Sequence, residues 1–218
     1  MRNFGLNALF AAVILATPAA AEMEVSFYMG SQSVPHSVMT GDIGGTPVDR
    51  TITWEGKSFD PPPYYGVKAI YWKDSGWGYG LEMTHAKAYA SSDDLTALGL
   101  DSLEFTDGHN IVTANIHRRW EDLWWKGRLT PFVTAGLGVA VPHVDIEPTG
   151  SAHTFGYQLT GPAARLGAGV SYEFTERVSV FTEYQFTYSA NEVELDSGGT
   201  LETDLITNAL NFGISYSF

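Results

Sequence analysis

The 218-residue chain contains no cysteine. It must therefore be held together by packing or by continuous backbone pairing, without disulfides. Basic residues are scarce: 12 Lys and Arg stand against 25 Asp and Glu, for a net charge of −13. Phosphate backbones are bound by basic faces, so this balance excludes nucleic acid as a partner. Charge of either sign is thin, at 17% of residues, where ~25% is usual for a soluble domain. No stretch approaches ~18 consecutive apolar residues, which excludes a transmembrane helix. Apolar residues at helical spacing are hard to find after residue 22, which argues against a helical fold.

What is present begins with a leader. Met1-Arg2-Asn3 is a short positive start, Phe4 to Ala16 is mostly apolar, and Ala19-Ala20-Ala21 offers small residues before Glu22. This predicts a cleavable signal peptide over 1–21 and a single exported domain over 22–218. Within that domain the dominant pattern is alternation. Phe212, Ile214, Tyr216 and Phe218 are separated by Gly213, Ser215 and Ser217, and similar alternation runs through 164–174 and 177–189. The period of two predicts strands near 24–34, 64–73, 77–90, 109–120, 129–144, 157–174, 177–190 and 203–218.

The connections between these strands alternate in length. Those near 74–76, 121–127 and 175–176 are short, and those near 37–63, 91–108, 145–156 and 191–202 are long. Short turns at one end and long loops at the other predict an all-β fold, an eight-stranded antiparallel transmembrane β-barrel with periplasmic turns and extracellular loops. In hydrocarbon a sheet must close to pair every backbone group, so the apolar face looks out at lipid. Trp77, Tyr79, Trp120, Trp124, Trp125, Tyr172, Tyr216 and Phe218 gather at the short-turn end, as an interfacial girdle does. A soluble lipocalin-like barrel would instead place its apolar face inside. The C-terminal NFGISYSF resembles the segment by which the barrel-assembly machinery recognises its clients. The expected location is the outer membrane, as a monomer.

The inward parity collects Lys68, Glu82, Asn115, His117, Arg165, Glu173, Glu183 and Gln185, which predicts an ion-pair network filling the barrel. The tripeptide Val-Pro-His occurs at 34–36 and at 141–143, each time where a strand leaves toward a long loop. Proline donates nothing to a ladder and belongs where regular pairing stops. His36, His85, His109, His143 and His153 thus fall at the long-loop end, among many acids. Imidazole with carboxylate suits iron, manganese or zinc, and carboxylates alone suit calcium or magnesium. The same residues are equally read as a solvated rim. Trp54, Phe59, Tyr64, Tyr65, Tyr89, Tyr157, Gln158, Tyr188 and Asn191 lie near this end, either as a second girdle or as contacts for a sugar or acyl boundary.

The segments SVPHS, FDPPPYYG, WGYGLEMTHAK, LEFTDGHN, GLGVAVPHV, GYQLTGPAARLGAGVSY and LETDLITNAL resemble the lipid A oxidase group, within the OmpA/porin-like small barrels. That resemblance implies oxygen-dependent oxidation of the proximal glucosamine of lipid A to an aminogluconate unit, with release of hydrogen peroxide. It implies lipid A, or lipopolysaccharide, as the partner. Oxygen chemistry on a sugar calls for a metal or organic cofactor. The Gly-x-Gly pairs at 78–80, 136–138 and 167–169 lie inside strands, so no nicotinamide or flavin motif is present. A redox-active divalent metal, iron or another ion, is therefore expected. His36, His85 and His143 are the catalytic candidates. They would act as ligands together with Asp107, His109, Glu202 and Asp204, while Trp54, Lys87, Tyr157 and Gln158 would bind substrate. A deacylase would need a His-x-Ser pair, which is absent. An acyltransferase could use His36 with Ser33 or Ser37. The non-enzymatic alternative is a structural or adhesin-type barrel, which needs only strands and surface loops.

Overall fold

A computed structural model describes residues 21–121 and 123–218, with the side chains of residues 21, 106 and 107 not described. Apart from Ala21, the expected leader over 1–21 lies outside the described residues.

Eight strands form a closed antiparallel ring. They are β1 (Ala21–Ser33), β5 (Tyr65–Lys73), β6 (Trp77–Ala90), β7 (Leu100–Arg119), β8 (Leu129–Ala140), β11 (Gly161–Glu173), β12 (Val178–Glu194) and β13 (Thr200–Ser217). Each pairs with the next, and β13 closes onto β1 from Glu24↔Ser217 to Ser33↔Asn208. Closure leaves the eight-strand ring without a free edge, the condition a sheet must meet in hydrocarbon. The eight-stranded antiparallel barrel expected from the alternation is the observed fold.

Five further strands and a helix occupy the segments expected to be long loops. A hairpin of β2 (Ser37–Ile43) and β3 (Thr46–Ile52) pairs with the upper end of β13 through Met39↔Thr203 and Gly41↔Leu201. The short β4 (Trp54–Glu55) pairs with the end of β6. Helix α1 (Ser92–Leu98) is capped by the Ser91 side chain and by left-handed Gly99. A second hairpin of β9 (His143–Pro148) and β10 (Thr154–Tyr157) pairs with the upper end of β7. β7, β12 and β13 simply run on past the barrel into this collar.

Both Val-Pro-His tripeptides sit at the joint between barrel and collar. β1 stops at Ser33 and β2 starts at Ser37; β8 stops at Ala140 and β9 starts at His143. Each proline ends one ladder as expected, but the chain then enters another strand, not a solvated loop.

The side-chain parity continues through the joint while its chemistry inverts. On β12 the inward positions run from Glu183 and Gln185 through Thr187, Ser189 and Asn191 to Val193, all buried. On β13 the outward positions change from Phe212 and Leu210 in the barrel to Asp204 and Glu202 in the collar, where Leu201 and Leu205 point in. The collar interior is a dry cluster that includes Met39, Ile52, Trp54, Leu103, Phe105, Ile146, Val193 and Leu201. The barrel is thus apolar outside and polar inside below, and packs like a soluble protein above. At the short-turn end Trp77, Trp124, Trp125, Tyr216 and Phe218 are exposed, as the girdle reading requires.

Candidate functional site at the long-loop end

The barrel interior is built around two acid–base pairs. Arg165 Nη1 lies 2.7 Å from Glu82 Oε1, and Lys68 Nζ lies 3.2 Å from Glu183 Oε2. Glu82 also accepts from Tyr28 at 2.6 Å, Gln185 at 2.8 Å and Asn115 at 2.9 Å. Arg165 donates to Thr84 at 2.6 Å, and Tyr64 donates to Gln185 at 2.8 Å. Lys68 also stands over the Phe181 ring, 4.2 Å from its centroid. Desolvated charges persist only when matched, and each has its opposite charge here, although Glu183 Oε1 and Arg165 Nε have no hydrogen-bond partner among the described residues. The expected filling network is present, with one change: Glu173 is exposed at the mouth of a short-turn-end vestibule that it lines with Glu22, Glu24 and Arg119.

Five histidines do lie at the long-loop end, but on different faces. His36 is exposed in the joint between β1 and β2. His85 shares the outward parity of Met83; it is stacked on Tyr65 at 5.0 Å and placed 3.2 Å from Asn110 Oδ1. Its ring lies against the backbone of Gly108, where a Cβ would collide with it, so the sequence needs glycine there. His109 points inward, its Nε2 2.8 Å from Ser189 Oγ and its ring 5.5 Å from Phe105. His143 points outward beneath Phe155 and Tyr157, with ring centroids 4.4 and 4.9 Å away. His153 Nε2 meets Asp145 Oδ1 at 2.9 Å, and that bond holds its pKa above the usual histidine value.

The expected metal set therefore does not converge. Glu202 and Asp204 are on the outward face of β13, His109 is inside, and His36, His85 and His143 belong to separate surroundings. The side chain of Asp107 lies outside the described residues. Among the described residues, no group of three or more His, Cys, Asp or Glu side chains could hold a metal ion. The donor set thus does not fit a shared ion, and no chemistry is routed through one. What the sequence could not reveal is the direction of each ring, since the bulge between Ala86 and Ala88 shifts the β6–β7 register beside His85 and His109.

The expected substrate-binding residues are mostly structural. Trp54 is buried in the collar core, donates to Ser37 Oγ at 2.9 Å and lies 6.1 Å from the Phe105 ring. Lys87 is fully buried, and its Nζ donates to the Asp60 carbonyl at 2.8 Å. Gln158 imitates a backbone peptide: its Nε2 donates to the Glu194 carbonyl at 2.9 Å, and its Oε1 accepts from the Glu194 N–H at 3.0 Å. That side chain joins the β9–β10 hairpin to β12. Tyr157 covers His143. Of the proposed second girdle, Trp54, Tyr64 and Asn191 are buried inside, while Phe59 and Tyr157 are exposed.

Sequence reasoning missed Asp94. It is buried and ties α1 to β3 and the link after it through three donors: Arg50 Nε at 2.8 Å, the Thr53 N–H at 2.8 Å, and the Ser91 hydroxyl at 2.9 Å. Burial alone would raise its pKa, but these donors together hold it below the usual carboxylate value. The only signal in the sequence was Ser91 three residues before Asp94, a helix-cap spacing. Glu104 has the opposite balance, raised by burial and by the nearby Asp145.

No protein-family model matches the chain, and no curated protein matches it. Solved structures do. Outer membrane protein AlkL, determined by solid-state NMR in DMPC bilayers, matches with TM-score 0.57 at 12% identity, over 100% of this chain and 96% of that one. Neisserial surface protein A matches with TM-score 0.51 at 12% identity, over 92% and 98%. The class is therefore a small outer-membrane β-barrel fold, and at this identity the likeness speaks for the fold alone.

Proposed function

We propose that the protein is a non-enzymatic outer-membrane barrel that holds a rigid acidic collar above the outer leaflet, in a structural or adhesive role. The observation that carries this reading is the collar core. The long segments are spent on packing, and the residues that oxidase chemistry would recruit are absorbed into it or dispersed around it. A leader over 1–21 would export the chain, the C-terminal NFGISYSF would present it to the assembly machinery, and it would reside as a monomer. Within an eight-stranded barrel the lumen is filled by side chains; here a polar network and an apolar cluster stack in series, which supports a role on the outer surface over one through the lumen.

The oxidase reading needs His36, His85 and His143 to act on one sugar. Their separate settings favour it less than the structural reading. Expression in a strain with ordinary lipid A, followed by mass spectrometry of the lipid, separates them. Unchanged lipid A mass is expected. A gain of one oxygen atom would overturn the proposal in favour of the oxidase, and a gained or lost acyl chain would overturn it in favour of an acyl-modifying enzyme.

A further inference from the structure

The collar's outer face is not uniform. On β12 and β13 it turns acidic at Glu192, Glu194, Glu202 and Asp204. On β10 and the segment after it the face is apolar, with Phe155, Tyr157 and Leu159 pointing outward at 59%, 62% and 69% exposure, whereas the outward positions of β9 are His143, Asp145 and Glu147. The column continues down β11 through Pro162, Ala164 and Leu166 with no charged residue before Tyr172. From Phe155 to Tyr172 is 18 residues, whereas crossing the hydrocarbon takes a strand about 9–11 residues. The uncharged column is thus about 1.6 to 2 times as long as a membrane crossing requires.

We infer that the β9–β10 hairpin leans into the outer leaflet, so that lipid covers Leu159, Tyr157 and Phe155 as it covers the barrel wall beneath them. Two observations choose lipid as the occupant. The patch is continuous with the lipid-facing belt, through Leu159 and Pro162 and through the neighbouring Val139 and Leu137 of β8. Aromatic rings are the side chains that favour the headgroup boundary. The acid directly opposite Phe155, Asp145, is engaged by His153 and by the Ser102 hydroxyl, while Glu104 and Glu147 lie beside it on the same outward face. The barrel then sits asymmetrically, with its acidic side raised into water and its aromatic side drawn down. The inference rests on the outer-membrane part of the proposed function, not on the absence of catalysis.

The chain has no cysteine, so single thiol substitutions can each carry one nitroxide label. Phe155→Cys, Leu159→Cys, Leu137→Cys and Glu194→Cys are refolded into phosphatidylcholine vesicles, with folding checked by heat-modifiable mobility. Power-saturation spectra in oxygen and in a water-soluble nickel chelate then report lipid against water. The labels at 155 and 159 are expected to be more accessible to oxygen than to chelate, like that at 137, with 194 in the reverse order. Chelate-favoured labels at 155 and 159 would overturn the inference. So would labels shielded from both reagents, which would mean that protein, such as a second copy, covers the patch. A chelate-favoured label at 137 would sink the lipid-facing barrel itself, a distinct failure.

Discussion

The barrel and the collar are made from the same strands, yet they solve opposite solvation problems. In the barrel the outward residues are apolar, as the proposed outer-membrane setting requires, and polarity is confined inside, as the Glu82–Arg165 and Lys68–Glu183 pairs. In the collar the outward residues meet water, so the inward parity of β12 and β13 turns to Val193, Leu201 and Leu205. The alternation of the strands does not change at the joint; only the chemistry of each face does. The comparison teaches that a strand's address relative to the membrane is written in which parity carries the charge.

The largest effect should come from breaking the barrel interior. Arg165→Met leaves Glu82 desolvated without its strongest partner, and we expect a loss of about 3–5 kcal/mol in urea titrations of the refolded protein. The double variant Arg165→Met/Glu82→Met should recover much of that loss, because no unmatched charge remains. If both variants were equally destabilised, the network would owe its value to shape and not to charge.

Breaking the collar should be milder and local. Leu103 is fully buried among collar residues. Leu103→Ala should cost about 2–4 kcal/mol, seen as new protease cleavage within 37–55 while the barrel keeps its folded gel mobility. Loss of the folded barrel band would show instead that the two regions unfold as one.

Asp94→Ala should act one step lower still. It leaves the Thr53 N–H and the Ser91 hydroxyl without an acceptor, for about 1–2 kcal/mol. Arg50 is 43% exposed and adds little. Because the folded Asp94 is more acidic than in the unfolded chain, its stabilisation is present above the unfolded carboxylate range and lost as pH falls through the lower folded value. Proteolysis of the β2–β3 hairpin should therefore rise on acidification in the parent chain and be less pH-sensitive in the variant.

The smallest effect concerns His153, which is at the surface. Its pKa is raised, so the pairing with Asp145 is complete below the ordinary histidine value and disappears as pH rises through the raised one. Proton NMR should find His153 titrating above the unperturbed range, and Asp145→Asn should return it there.

The barrel was legible in the sequence because alternation, tight turns and terminal aromatics all pointed one way. The segment 77–90 was expected and observed with the same limits, and the inward network was recognised from parity alone. The collar was not legible, for a physical reason. Its strands carry acids outward and short aliphatics inward, as in Leu201-Glu202-Thr203-Asp204-Leu205, and acidic Gly- and Pro-rich segments also describe solvated loops. The facing of the expected site residues was not legible for a related reason. Placing five histidines at one end says nothing about facing, and facing is decided by the joints at Pro35 and Pro142 and by the bulge beside Ala86.

Residue-resolved amide hydrogen exchange in vesicles tests most directly whether the long segments form a packed collar. Amides of 103–105 and 201–205 should exchange orders of magnitude more slowly than an unstructured peptide, approaching the protection of barrel strands. Exchange of those amides at the rate of open loops would contradict the account.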